Sequence, residues 1–103
     1  MGATSRVSLS GASIVRAAKE LASCKIADET IILSLDSGIY FGLNAIGTRI
    51  WSLLQEPGPV SRIVAAILDE YEVQPDRCEQ EVIALLQDLT AQRLIDVGEI
   101  PDV

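Results

Sequence analysis

The tightest constraint on this chain is a change of hydrophobic period at Leu43 and Asn44. Before it, "TIILSL" and "IYFGL" are short runs of β-branched, aliphatic and aromatic residues, the composition of strands. The "DSG" between them is a turn, with Gly38 free to take positive φ. After it, Ile46, Ile50, Leu53 and Leu54 recur at helical spacing with Trp51 beside them, and Asn44 stands where an N-cap belongs. The whole stretch, "DSGIYFGLNAIGTRIW", holds three of the chain's four aromatics. A strand that runs into a helix with no linker has to pack its sheet against that helix.

The rest of the organisation follows outward. "LASCKIA" alternates in part and, with "DE" as a tight turn, supplies a strand before "TIILSL". The first helix stops at "EPGP". Val60, Ile63, Val64, Ile67, Leu68 and Tyr71 then give one apolar face of a second helix. Pro75 suits the first turn of a third, with Gln74 as a weak cap, and Cys78, Val82, Leu85 and Leu89 form its stripe with Leu86 at the margin. This helix is expected to fray near Gln92, and "RLIDV" to end the ordered chain. The expected fold is α+β, a three-stranded antiparallel sheet followed by three helices with a winged-helix outline. Residues 21–98 form the domain, residues 1–20 a partly flexible arm, and residues 99–103 a tail. Gly42 inside a strand marks either a bulge or a close backbone approach.

At 103 residues, one core is expected and a second domain is not. No apolar run approaches a membrane span, and the first fifteen residues lack the apolar block of a secretory signal. "MGATSR" fits a myristoylation pattern only loosely, which argues against a lipid anchor. With two cysteines, no Cys-x-x-Cys and no histidine, neither a disulfide framework nor a zinc site is expected. Both cysteines read as small packing residues in a reducing cytoplasm. The absence of histidine removes Ser-His and Cys-His nucleophile pairs, and no Walker loop, Rossmann fingerprint, HExxH or nucleophile elbow occurs. No catalytic residues, metal or cofactor are expected.

Charge bears on partners. The net charge is −7. Residues 1–25 hold four basic residues against one acid, and residues 26–103 four arginines against fourteen acids. The third helix carries Asp76, Glu79, Glu81 and Asp88 against Arg77 and Arg93. A winged-helix nucleic-acid binder needs a basic face there, so that reading is set aside. The feature that remains is the sheet edge. "IYFGL" has neither proline nor charge and is poorly protected, which suits addition of an extended peptide. Ile83 lies beyond the core stripe of the third helix, and a groove between that helix and the edge would use it.

The stretches "LDSGIYFGLNAIGTRIWSLL", "VSRIVAAILDEY" and "EQEVIALLQDL" resemble the PqqD-like domains, also called precursor-peptide recognition elements. The resemblance covers about residues 22–97. Within the family, "SGIYFGLN" looks most like the stand-alone recognition subunit of split lasso-peptide leader peptidases. The resemblance implies a binding domain that is not an enzyme. A precursor's leader segment would add as a strand beside the third strand, at Ile39, Tyr40, Phe41, Gly42 and Leu43. It would pack on a helix wall drawn from Cys78, Glu79, Val82, Ile83, Leu85 and Leu86. The implied partners are the leader peptide, a separate cysteine protease and an ATP-dependent cyclase, with no nucleic acid and no membrane. Asn44, Gly47 and Trp51 would be structural, and Tyr40 and Phe41 would lie on opposite strand faces. A chaperone for another modified peptide, such as pyrroloquinoline quinone, would share the groove. The family often has glycine after the third helix, where this chain has Arg93.

Overall fold

The computed structural model describes residues 9–98. The expected tail at residues 99–103 and the loose myristoylation pattern near the N-terminus lie outside the described residues. Nine elements follow in order: β1 (Ile14–Ala17), β2 (Leu21–Ile26), β3 (Glu29–Ser34), β4 (Tyr40–Leu43), α1 (Ala45–Leu53), β5 (Gly58–Pro59), α2 (Val60–Glu70), α3 (Pro75–Ala91) and β6 (Ile95–Gly98). The expected meander is present as the antiparallel sheet β2-β3-β4. Its first turn sits one residue earlier than "DE": Ala27 and Asp28 make the corner, Ala27 at φ +57°, and Glu29 already pairs with Ile26. Gly38 takes φ +75° in the second turn, as its sequence context predicts. The β3–β4 register runs unbroken from Leu33–Tyr40 to Thr30–Leu43, so Gly42 marks no bulge.

A second sheet, β5-β1-β6, is absent from the sequence reading. It draws β1 from the residues expected as an arm, and Val15 is buried in the core. The pairing partners are remote: Ile14 faces Pro59 on one side and Gly98 on the other. This strand also completes other elements. The carbonyls of Ser13 and Gly11 accept from the Val60 and Ser61 amides, both at 2.9 Å, and so satisfy the start of α2, which has no side-chain cap. The Ala17 amide donates to the Leu54 carbonyl at 2.7 Å, and that of Ala18 to Leu94 at 2.9 Å. At the end of α1, Arg62 lies across Gly58 and donates to the carbonyls of Leu53 and Glu56, each at 2.9 Å. A Cβ on Gly58 would come within 2.7 Å of that guanidinium.

The core lies between the inner face of β2-β3-β4 and the three helices, with Ile32, Leu43, Ile50, Trp51, Leu54, Ile63 and Ile67 among its buried members. On α3 the buried positions are Cys78, Val82, Leu86 and Leu89. The helix is therefore turned slightly from the expected stripe, with Leu86 in the core and Leu85 at its edge. Asn44 caps α1, its side-chain oxygen accepting from the Gly47 amide at 2.8 Å. Gly47 sits hard against the strand it follows, since a Cβ there would meet Leu43 Cβ and Cδ2 at 3.2 Å. Arg49 and Glu70 tie α1 to α2 by a bidentate pair, with the shortest contacts at 2.8 Å. The end of α3 explains the departure at Arg93. The Leu94 amide bonds the Leu89 carbonyl at 2.8 Å and the Arg93 amide that of Thr90 at 2.9 Å, a Schellman closure that leaves Arg93 at φ +61°.

Two stability outcomes follow. Arg93→Gly removes a left-handed cost of roughly 1–2 kcal/mol and returns roughly 0.5–1 kcal/mol of chain entropy. Thermal denaturation should therefore show a Tm up to a few degrees higher, and a lower Tm would refute the strain at this residue. Asn44→Ala should cost about 1 kcal/mol, a Tm fall of about 4–8 °C, by leaving the Gly47 amide without its acceptor.

Candidate functional site

The strand β4 is bonded to β3 on one side, and no strand among the described residues pairs with its other side. Alternation along it is set by the core. Leu43 is buried opposite Thr30, and Phe41 is half-buried opposite Ile32 and packs on the core. Tyr40 and Gly42 therefore point to the outer face, so Phe41 is the aromatic that faces inward. Ile39 stands just before the strand, where its carbonyl accepts from the Ser34 amide at 3.0 Å, and its side chain is exposed.

A cavity of about 260 Å³ opens where β4 ends, walled by the first turns of α1, by α3 and by the loop before α3. Of the residues expected at a binding site, Gly42, Leu43, Cys78, Val82 and Leu85 line it. Leu86 is fully buried in the core, Ile83 is half-buried against the core, and Glu79 is exposed on the outer side of α3. Ile39, Tyr40 and Phe41 belong to the strand and its approach rather than to the cavity. The lining also includes Ile46, Ile50, Ile67, Val73 and Glu81, which the sequence reading did not place at a site. Ile46 and Val73 are large apolar side chains exposed at the cavity mouth, an exposure that the sequence pattern does not reveal.

The chemistry of this cavity is that of a seat. Its walls are mostly aliphatic, and Glu81 is the single charged residue lining it. Glu81 is already paired with Arg77 at 3.0 Å on an exposed helix face. Burial pushes the Cys78 thiol up, and Glu81 adds to the shift, so at neutral pH it is a protonated packing group rather than a nucleophile. Its volume lies below the roughly 300–1,000 Å³ of small-molecule sites, which suits one or two side chains of a peptide. Among the described residues, no cluster of His, Cys, Asp or Glu has the arrangement of a metal site.

The opposite edge of the sheet, β2, which likewise has no second strand partner among the described residues, differs. It carries Lys25, and the groove beside it mixes Trp51 and Tyr71 with charged and polar residues, among them Lys25, Asp28, Arg49 and Gln55. Backbone groups are available at both edges, but the β4 cavity has mostly aliphatic walls with one charged residue, whereas the β2 groove carries Lys25, Asp28 and Arg49 beside its aromatics. No helix among the described residues is long and apolar enough to cross a membrane.

Comparisons with known proteins agree with this geometry. The family described as Coenzyme PQQ synthesis protein D (PqqD) matches residues 29–95. The solved structure "TbiB1 in Complex with the TbiA(beta) Leader Peptide" is 37% identical, covers 84% of this chain and 99% of that chain, and superposes with a TM-score of 0.74. "Lasso peptide synthetase B1 complexed with the leader peptide" is 22% identical, with 80% and 96% covered and a TM-score of 0.70, a likeness of fold. Curated sequences give no match. The PqqD match spans β3 to the start of β6, the segment that builds the β4 edge and its cavity, and this chain belongs to the PqqD family.

Proposed function

We propose that this chain binds the leader segment of a ribosomally made precursor peptide in a lasso-peptide pathway. The leader adds as a strand to the free edge of β4 and seats apolar side chains against α3. The domain then delivers the peptide to a separate cysteine protease in the cytoplasm, and an ATP-dependent cyclase acts on the product. The domain itself is not an enzyme. The observation that carries this reading is the juxtaposition of a strand edge left unpaired among the described residues with an aliphatic cavity at its end. The leader peptides in the two similar structures support the choice of ligand.

The energetics divide between edge and cavity. Each net backbone hydrogen bond contributes about 0.5–1.5 kcal/mol whatever the peptide's sequence. Full burial of one aliphatic or aromatic side chain contributes about 1.5–3 kcal/mol and depends on its shape. The cavity therefore selects the leader, and the edge sets its direction and register.

Titration of the labelled chain with a synthetic cognate leader should move backbone NMR signals at residues 39–43 and along residues 78–86 in a one-to-one complex. Unmoved signals there would sink the reading, and equal binding of an unrelated modified peptide would favour the chaperone role. Val82 is too deep in the core for a clean test, whereas Leu85 is half-buried at the cavity wall. Leu85→Asp should weaken leader binding about ten-fold or more while the far-UV circular dichroism stays native.

A further inference from the structure

A second groove, of about 480 Å³, opens at the other end of β4 from the cavity. Ile39, at the approach to the strand, lines it together with Lys19 and Glu20 of the β1–β2 turn, Asp36 of the β3–β4 turn and Arg93 at the end of α3. Backbone strain gathers here. Among the described residues, three that are not glycine take positive φ. Ala27 makes the β2–β3 corner, and the other two, Glu20 at +62° and Arg93 at +61°, both line this one groove. Such strain persists where the surrounding structure holds it, and it collects at ligand-binding positions. Both turns are held: the Leu35 amide donates to the Glu20 carbonyl at 3.4 Å, and the Ala18 amide to the Leu94 carbonyl at 2.9 Å. The charges are spare as well. The three ion pairs among the described residues use none of Lys19, Glu20, Asp36 and Arg93.

We propose, on the reading that a peptide adds at β4, that this groove takes a second part of the same peptide and that Arg93 is a specificity-determining residue, gripping an acidic side chain. Ile39 and Leu43 have the same parity, so the side chains of an added strand beside them point to one face, the face that the helices cover. The two positions stand about 13 Å apart along the strand. A peptide that seats an apolar side chain in the cavity at Leu43 therefore holds, four residues along, a side chain over the groove at Ile39. One face of α3 runs past both. Positions 81, 85, 88 and 92 fall within an arc of about 60°. Glu81 and Leu85 line the cavity, and Gln92 lines the groove. Arg93 follows directly and is the one charged residue that the groove receives from the helix side. A guanidinium presents a planar fork that matches a carboxylate. In a chain that carries −7, an acidic side chain is held only where a free cation stands, so this contact discriminates among peptides rather than adding general attraction. Glycine would end α3 with less strain, and it would leave the groove without that charge.

Calorimetric titration of the full chain reads this contact, with the synthetic cognate leader and with leaders in which each Asp or Glu is changed singly to Asn or Gln. One change, four residues from the apolar residue that enters the cavity, should weaken binding about five-fold. Arg93→Gly should weaken the unaltered leader by a similar factor while its Tm does not fall, and in that variant the sensitive change should have no further effect. Arg93→Lys, which keeps the charge and loses the fork, should lie between the two. Weaker binding in a variant that is no less stable separates a contact from a purely structural role. Equal binding of the leader by wild type and Arg93→Gly would overturn the proposal. So would a leader that responds only to replacement of its Lys or Arg residues, which would give the groove to Glu20 and Asp36. A leader that fails to bind the wild-type chain refutes the β4 reading itself, whereas a leader that binds but has no acidic residue coupled to Arg93 refutes the groove alone.

Discussion

Everything that positions the β4 edge passes through the corner at Leu43 and Asn44. The Asn44 side chain closes the first turn of α1 by accepting from the Gly47 amide. Gly47, lacking a Cβ, lets that turn rest on Leu43 itself. One turn further on, Ile50, Trp51 and Leu54 enter the core shared with α2 and α3. The exposed strand is thus joined to the interior over a few residues, with no loop to absorb motion. The cavity follows from the same corner, because the first turn of α1 forms one wall and α3, packed on α2, forms the other. Edge and seat are held in one geometry before any ligand arrives, which reduces the ordering cost of binding.

The parts legible in the sequence were those set by local chemistry. The turn at Gly38, the cap at Asn44, the stop at "EPGP" and Pro75 at the start of α3 each need only their immediate neighbours. The β5-β1-β6 sheet was not legible for the opposite reason. A four-residue and a two-residue strand show no usable alternation, and Ile14 acquires its place from Pro59 and Gly98, far away in the chain. The assignment of Tyr40 and Phe41 to faces was undecidable because β3 is apolar on both sides: Ile32 faces the core while Ile31 and Leu33 face outward. Leu85 and Leu86 sit about 100° apart on α3, and only the position of α2 and the sheet decides which one enters the core. Val73, alone among polar neighbours in its loop, gave no periodic signal at all. The strand edge could be anticipated, whereas the cavity needed three elements to come together.

Arg93 shows how a family preference becomes physical. Glycine is favoured where the chain leaves a helix in the left-handed region, and Arg93 occupies that region at φ +61°. The flanking Leu89 and Leu94 are both buried, so packing on either side holds the turn. An arginine stands there at a local cost, within a turn that these two buried leucines anchor.

The pairing of β1 with β6 has a further consequence. Ile14 lies directly across from Gly98, so the start of β1 and the end of β6 lie side by side. Both belong to the sheet that does not contain β4. These two strand ends therefore meet away from the β4 edge. Neither strand contributes a residue to the lining of the cavity, so the sheet that joins the beginning of the fold to its end stands apart from the seat.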